Sequence, residues 1–110
     1  MSERRRHRRY AVSWSAEVTE GASSPFVVEV ANVSEGGLCI VSVRPIEIGS
    51  TFFLKPSQWS EAPLHCVVRW VEQYGGPAYA GVQFEGVNEA QRHALRKLVA
   101  AFDVEDWGKP

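Results

Sequence analysis

Five arginines within six positions (Arg4, Arg5, Arg6, Arg8 and Arg9, interrupted by His7) concentrate one kind of chemistry near the start of this 110-residue chain. A guanidinium is a planar fork of N–H donors that stays charged throughout the physiological range. It matches the oxygens of a phosphate, and it also matches the O6/N7 edge of guanine. An arm with several such forks can wrap a ligand carrying both groups. Each charge-assisted bond contributes roughly 1.5–3 kcal/mol before the entropy of ordering the arm is subtracted. Residues 10–110 hold seven basic against 12 acidic side chains, a net −5, while the whole chain carries −1. Positive charge is therefore placed rather than spread. That argues against a general nucleic-acid coat or a whole-domain membrane binder, both of which need an extended basic face. By itself the run also suits a solvated basic tail, or nonspecific contact with nucleic acid or anionic lipid.

A second segment, Asn32-Val33-Ser34-Glu35-Gly36-Gly37, offers complementary groups. Asn32 can present an amide to a base edge and Ser34 a hydroxyl to a phosphate or base. Gly36 and Gly37 give a backbone that bends freely and lets a ligand approach its N–H groups. Taken alone these are the ordinary residues of a turn. Signatures of catalysis are missing: there is no GxSxG elbow, HExxH, Walker loop or GxGxxG, so no enzyme is expected. His7, His65 and His93 fall on different elements without carboxylate or cysteine partners at ligand spacing, so no metal site is expected either. Cys39 and Cys66 sit in apolar runs and read as buried, reduced thiols. No apolar stretch reaches the ~18 residues of a membrane helix, and the start lacks the apolar segment of a signal peptide. A cytoplasmic protein without membrane insertion is the expectation.

The elements that must hold these segments are legible from periodicity. Tyr10, Val12, Trp14, Ala16 and Val18 alternate with polar or small residues, the pattern of a half-buried strand. Turn residues 21–25 lead to a second alternating run at Phe26, Val28 and Val30, which should pair antiparallel with the first. Further strands are expected at Leu38–Val43, Thr51–Leu54, Leu64–Val71 and Tyr79–Phe84. In the fifth, Leu64, Cys66, Val68 and Trp70 share a face. The 55–63 loop is expected to expose Trp59. Asn88 and Gln91 form a capping-box pair ahead of Ala94, Leu95, Leu98, Val99 and Phe102 at helical spacing. Arg92, Arg96 and Lys97 lie opposite, towards the helix C-terminus. Six short strands and no strand–helix alternation predict a mainly β fold, a six-stranded antiparallel barrel with a C-terminal α-helix packed on it. The expected organisation is an Arg-rich arm over 1–9, barrel and helix over 10–102, and a frayed tail over 103–110.

The two segments, in this order ahead of six strands and a final helix, resemble the PilZ domain family of bacterial cyclic di-GMP receptors. That family is marked by RxxxR followed by [D/N]xSxxG. Arg5-Arg6-His7-Arg8-Arg9 and Asn32-Val33-Ser34-Glu35-Gly36-Gly37 satisfy both, and Arg4 to Arg8 offers a second RxxxR frame. The resemblance extends through Val67-Val68-Arg69-Trp70 and Gly81-Val82-Gln83-Phe84, covering about residues 3–102. It implies a regulatory ligand, cyclic di-GMP, and no other cofactor. Arg5 and Arg9 would grip its phosphate and guanine, while Asn32, Ser34, Gly36 and Gly37 line the barrel side. Arg4, just before the first motif arginine, points to two stacked ligands per domain. Arg8 and His7 come next by proximity, and Trp59 or Tyr79 could supply stacking surface. Asn32 departs from the commoner Asp and gives a neutral acceptor. The resemblance further implies a stand-alone receptor whose arm rearranges on binding and signals to an unidentified partner protein in motility, adhesion, secretion or polysaccharide machinery, with no specific nucleic-acid target. Two alternatives stay open: a ligand-independent interaction adaptor of the same fold, and a nucleic-acid-binding module.

Overall fold

The computed structural model describes residues 10–107. Six strands follow one another: β1 (Tyr10–Thr19), β2 (Phe26–Val33), β3 (Gly37–Ser42), β4 (Thr51–Pro56), β5 (Leu64–Glu72) and β6 (Ala78–Glu85). Every pairing is antiparallel, and the order β1-β2-β3-β6-β5-β4 closes when β4 pairs with β1. A single helix, α1 (Glu89–Trp107), follows. The fold is thus the expected one, a mainly β, six-stranded antiparallel barrel with a C-terminal helix. Closure leaves no sheet edge unpaired and encloses the alternate side chains that periodicity marks as apolar. Val18, Val28, Val30, Ile40, Leu54, Cys66, Val68 and Ala80 fill the interior.

Simple alternation fails at three places, and each is a β-bulge. Along β1 and β2 the register passes from Ala11↔Asn32 to Trp14↔Val30, leaving one extra residue in β1. Along β2 and β3 it passes from Val30↔Ile40 to Asn32↔Cys39, leaving Ala31 extra. Val30 and Val33 both point into the core, so Ala31 and Asn32 both stand on the outer face. Between β5 and β6 the extra residue is Arg69. This corrects the expectation for Trp70, which is not on the face of Leu64, Cys66 and Val68: the bulge turns it outward, 38% exposed, and lets Val71 pack inward instead. Trp70 lies over its cross-strand partner Gly81, where an added methyl would overlap the indole. Beside it, Arg69 donates to Gln83 Oε1 at 2.7 Å and pairs with Glu85.

The two barrel ends differ. One is formed by the β2–β3, β4–β5 and β6–α1 connections and is covered by α1, whose Leu95 is buried in the core. The capping box forms as expected: the Gln91 amide N–H donates to Asn88 Oδ1 at 2.8 Å, and the Asn88 amide N–H to Gln91 Oε1 at 2.9 Å. Gln91 Nε2 then donates to the carbonyls of Ala62 and Pro63, tying the helix start to the β4–β5 loop. Trp59 in that loop is a second correction. It is buried at 7% exposure within the core cluster and donates Nε1–H to Ala62 O at 2.8 Å. An indole next to a barrel mouth buries a large apolar face and still satisfies its one donor, which a solvated loop position would forgo. The helix also runs five residues past its expected end at Phe102, because neither Gly nor Pro occurs before Gly108. Arg92, Arg96 and Lys97 consequently fall in its first half, and its last turn has no basic residue. At the opposite barrel end, Val18, Phe26, Ile46 and Phe52 line a cavity of about 130 Å³, with Arg44 stacked on Phe26 at 4.4 Å.

Both cysteines are buried thiols rather than a disulfide. Burial pushes the Cys66 thiol up from 9.0 to about 12. Because the folded value is raised, the stabilisation is present below pH 9 and is lost as pH climbs from 9 towards 12, where only the unfolded chain ionises. Denaturant titrations across that window should show Cys66 contributing a decline of up to about 1.4 kcal/mol per pH unit, and that contribution should disappear in Cys66→Ala. Gly81→Ala should cost about 1–3 kcal/mol through overlap with Trp70, and Trp70→Ala in the same chain should recover most of the loss in thermal unfolding.

Candidate functional site

The Asn32–Gly37 segment spans the end of β2, a three-residue turn and the start of β3. Ser34 builds that turn. Its side chain is buried at 2% exposure. Its Oγ accepts from the backbone N–H groups of Gly36 and Gly37, both at 3.2 Å, and donates to Gly37 O at 3.2 Å. A hydroxyl has one donor and two acceptor positions, so all three are used. The Ser34 amide adds a 2.8 Å bond to the same Gly37 carbonyl, and Gly36 O accepts from Phe84 N on β6 at 3.0 Å. The Ser34 hydroxyl thus faces its own turn, and the Gly36 and Gly37 amides are engaged by Ser34 Oγ.

Gly37 is required for a separate reason. It pairs with Gln83 across the β3–β6 seam, and a methyl at this position would overlap the backbone carbonyl of Val82. No side chain can move aside there, because the obstacle is main chain. Ser34 and Gly37 together fix where β3 meets β6, and so fix the rim on which the rest of the motif stands.

What faces outward is Asn32, half-buried and engaged with the surrounding structure. The Ala31 bulge puts it there. The strand beside it is the start of β1, where Tyr10 pairs with Val33 and Ala11 with Asn32. Arg9 directly precedes Tyr10 in the chain, so the arginine run is joined to the barrel next to Asn32. Arg4, Arg5 and Arg9 themselves lie outside the described residues, as does the whole expected arm over 1–9. Glu35, at the tip of the turn, pairs with Arg96 of α1 at 3.3 Å. No local pattern signals this contact, which crosses 61 positions. Both partners are well exposed, so the pair orients the helix against the turn more than it stabilises the fold.

Around the bulge the outer barrel face is concave. Trp14, Ser15, Glu29, Ala31, Val41 and Tyr79 border a groove of about 490 Å³, far larger than the cavity at the other end. Tyr79 is 45% exposed, in keeping with its expected availability for stacking, whereas Trp59 is enclosed. Among the described residues, no group of three or more His, Cys, Asp or Glu gathers as a metal site, and no helix is long and apolar enough to cross a membrane.

The family model for the PilZ domain matches residues 3–101, nearly the whole chain. The chain belongs to the PilZ family. Solved PilZ-like structures agree in fold at low identity. The PilZ domain of YcgR from Escherichia coli, determined with c-di-GMP, superposes with a TM-score of 0.79 at 15% identity and covers 94% of both chains. The MrkH–c-di-GMP complex of K. pneumonia gives 0.80 at 14% identity, over 96% of this chain and 55% of that one. The Bacillus subtilis inhibitor of motility MotI/DgrA gives 0.75 at 13% identity, over 92% and 52%. This PilZ chain thus spans about half the length of the latter two proteins. At such identities the likeness is one of fold. No curated protein matches the sequence at a significant level.

The lock around Ser34 makes a direct prediction for the PilZ motif. Ser34→Ala leaves the Gly36 and Gly37 amides without their acceptor and should cost about 1–3 kcal/mol in chemical unfolding. Gly37→Ala should cost about 3 kcal/mol or more, since backbone must move.

Proposed function

We propose that this chain is a cyclic di-GMP receptor in which the arginine arm and the outer face beside the Asn32–Gly37 turn close on the ligand from two sides. The observation that carries the reading is the Ala31 bulge. It stands Asn32 on the outer face next to the strand that begins one residue after Arg9, so the chain leaves the arginine run beside Asn32 although 22 residues separate Arg9 from Asn32. The division of charge supports it as well. A dianionic ligand is repelled by a body of net −5 unless the arm neutralises it, so binding requires the arm rather than merely benefiting from it.

In this reading Arg5 and Arg9 hold phosphate and guanine through paired N–H bonds, with Arg4 available to a second ligand molecule. Asn32 meets a base edge. Ser34, Gly36 and Gly37 act by shaping the rim, since their polar groups are spent on one another. No bond is made or broken; the chain is a receptor and not an enzyme. Its output passes through surface rearrangement near the turn, which the Glu35–Arg96 pair connects to α1, towards a downstream protein partner in a cytoplasmic setting.

Calorimetry with cyclic di-GMP at near-physiological salt tests this. The wild-type chain should bind, Arg5→Ala and Arg9→Ala should each lose about a hundredfold or more, and cyclic di-AMP should give little heat. Absence of heat from the wild type overturns the reading and favours a ligand-independent adaptor. Affinity for oligonucleotides with a steep salt slope favours a nucleic-acid module.

A further inference from the structure

The groove beside Asn32 has a composition that the motif alone does not account for. Ser15, Glu29, Val41 and Tyr79 are consecutive cross-strand partners, running over β1, β2, β3 and β6. At strand spacings of about 4.8 Å this row spans roughly 14 Å of outer surface. Trp14 and Ala31 close it where the two neighbouring bulges meet. Glu29 is exposed and, among the described residues, makes no ion pair or hydrogen bond. It stands on the same outer face as Asn32, three residues earlier in β2, with Ala31 between them on that face. A lone carboxylate, the apolar side chains of Ala31 and Val41, and an exposed phenol ring bordering one groove suit a planar heterocycle with donors on its edge.

Guanine is such a heterocycle. Its N1–H and N2–H groups point the same way and can donate in parallel to the two oxygens of a carboxylate. An amide has a single oxygen and cannot accept both in that manner. Adenine presents an acceptor at N1, which a carboxylate repels. Resting on the ligand assignment above, we propose that Glu29 is the residue that selects guanine, supplying the charged acceptor that Asn32 lacks, while Tyr79 stacks on the base held in the groove. Glu29 thereby supplies, from three residues earlier on the same face of β2, the carboxylate that the motif forgoes. Stacking on Tyr79 is indifferent to base identity, because every base has a π-face. Selectivity and affinity are therefore carried by different residues.

That separation defines the test. Calorimetry on the full chain compares cyclic di-GMP with cyclic di-IMP, whose hypoxanthine lacks the 2-amino donor, in the wild type, Glu29→Gln and Tyr79→Ala. The wild type should prefer cyclic di-GMP by about tenfold or more. Glu29→Gln should weaken cyclic di-GMP by about ten- to a hundredfold and bring the two ligands close to equal affinity. Tyr79→Ala should weaken both by a similar factor, about tenfold, and keep the preference. Glu29→Gln should melt with the wild type, which separates the effect from misfolding. A preference that survives Glu29→Gln overturns the inference and leaves the receptor reading standing, provided Arg9→Ala still abolishes binding. No binding of either ligand by the wild type overturns both.

Discussion

The hydroxyl of Ser34 is the contact on which the rim around the β2–β3 turn depends. A single buried oxygen takes the amides of Gly36 and Gly37 and gives its proton to the Gly37 carbonyl, so the turn between β2 and β3 is closed from inside. Gly37 then lies against the Val82 carbonyl with no room for a side chain, which sets the seam between β3 and β6. A sheet of six strands closes only if each pairing holds its register. The motif serine and glycine are in this sense residues of the fold, and on the proposed reading ligand recognition would rest on what they leave outside.

What they leave outside is set by extra residues. Two bulges, one in β1 and one in β2, fall side by side, and each interrupts the alternation that would otherwise bury one face and expose the other. At Ala31 the result is a pair of consecutive outward residues and a concave outer surface next to the point where the arginine run joins β1. Electrostatics divides along the same line, with five of the 12 basic residues in the run and an acidic barrel behind it. On the proposed reading an anion would be held where the two meet, since neither the acidic body nor an isolated arm provides both charge compensation and a shaped surface.

Much of this was legible beforehand. The alternation in β1, β2 and β6, the capping box at Asn88 and Gln91, and the change of period at the helix marked the elements and the fold class. Trp70 was assigned to the wrong face because a bulge is one added residue with no compositional mark, and every side chain beyond it changes sides. Trp59 was expected outside because a Pro-bounded loop reads as solvated, whereas its burial depends on a barrel end that exists only after closure. The Glu35–Arg96 pair belongs to the same class. The groove row escaped for a further reason: Ser15, Glu29, Val41 and Tyr79 become neighbours through the registers of three separate strand pairs, which local sequence does not encode.

The central claim is that ligand meets the barrel on the outer face at the Ala31–Asn32 bulge, with the arginine run closing over it. Amide chemical-shift mapping of an isotope-labelled chain during titration with cyclic di-GMP tests this most directly. The account predicts the largest changes at residues 31–37, at 14–15 and at Tyr79, together with residues 4–9, and quiet signals around Phe26, Ile46 and Phe52 at the far barrel end. Changes centred on that far cavity, with residues 31–37 unmoved, would contradict it.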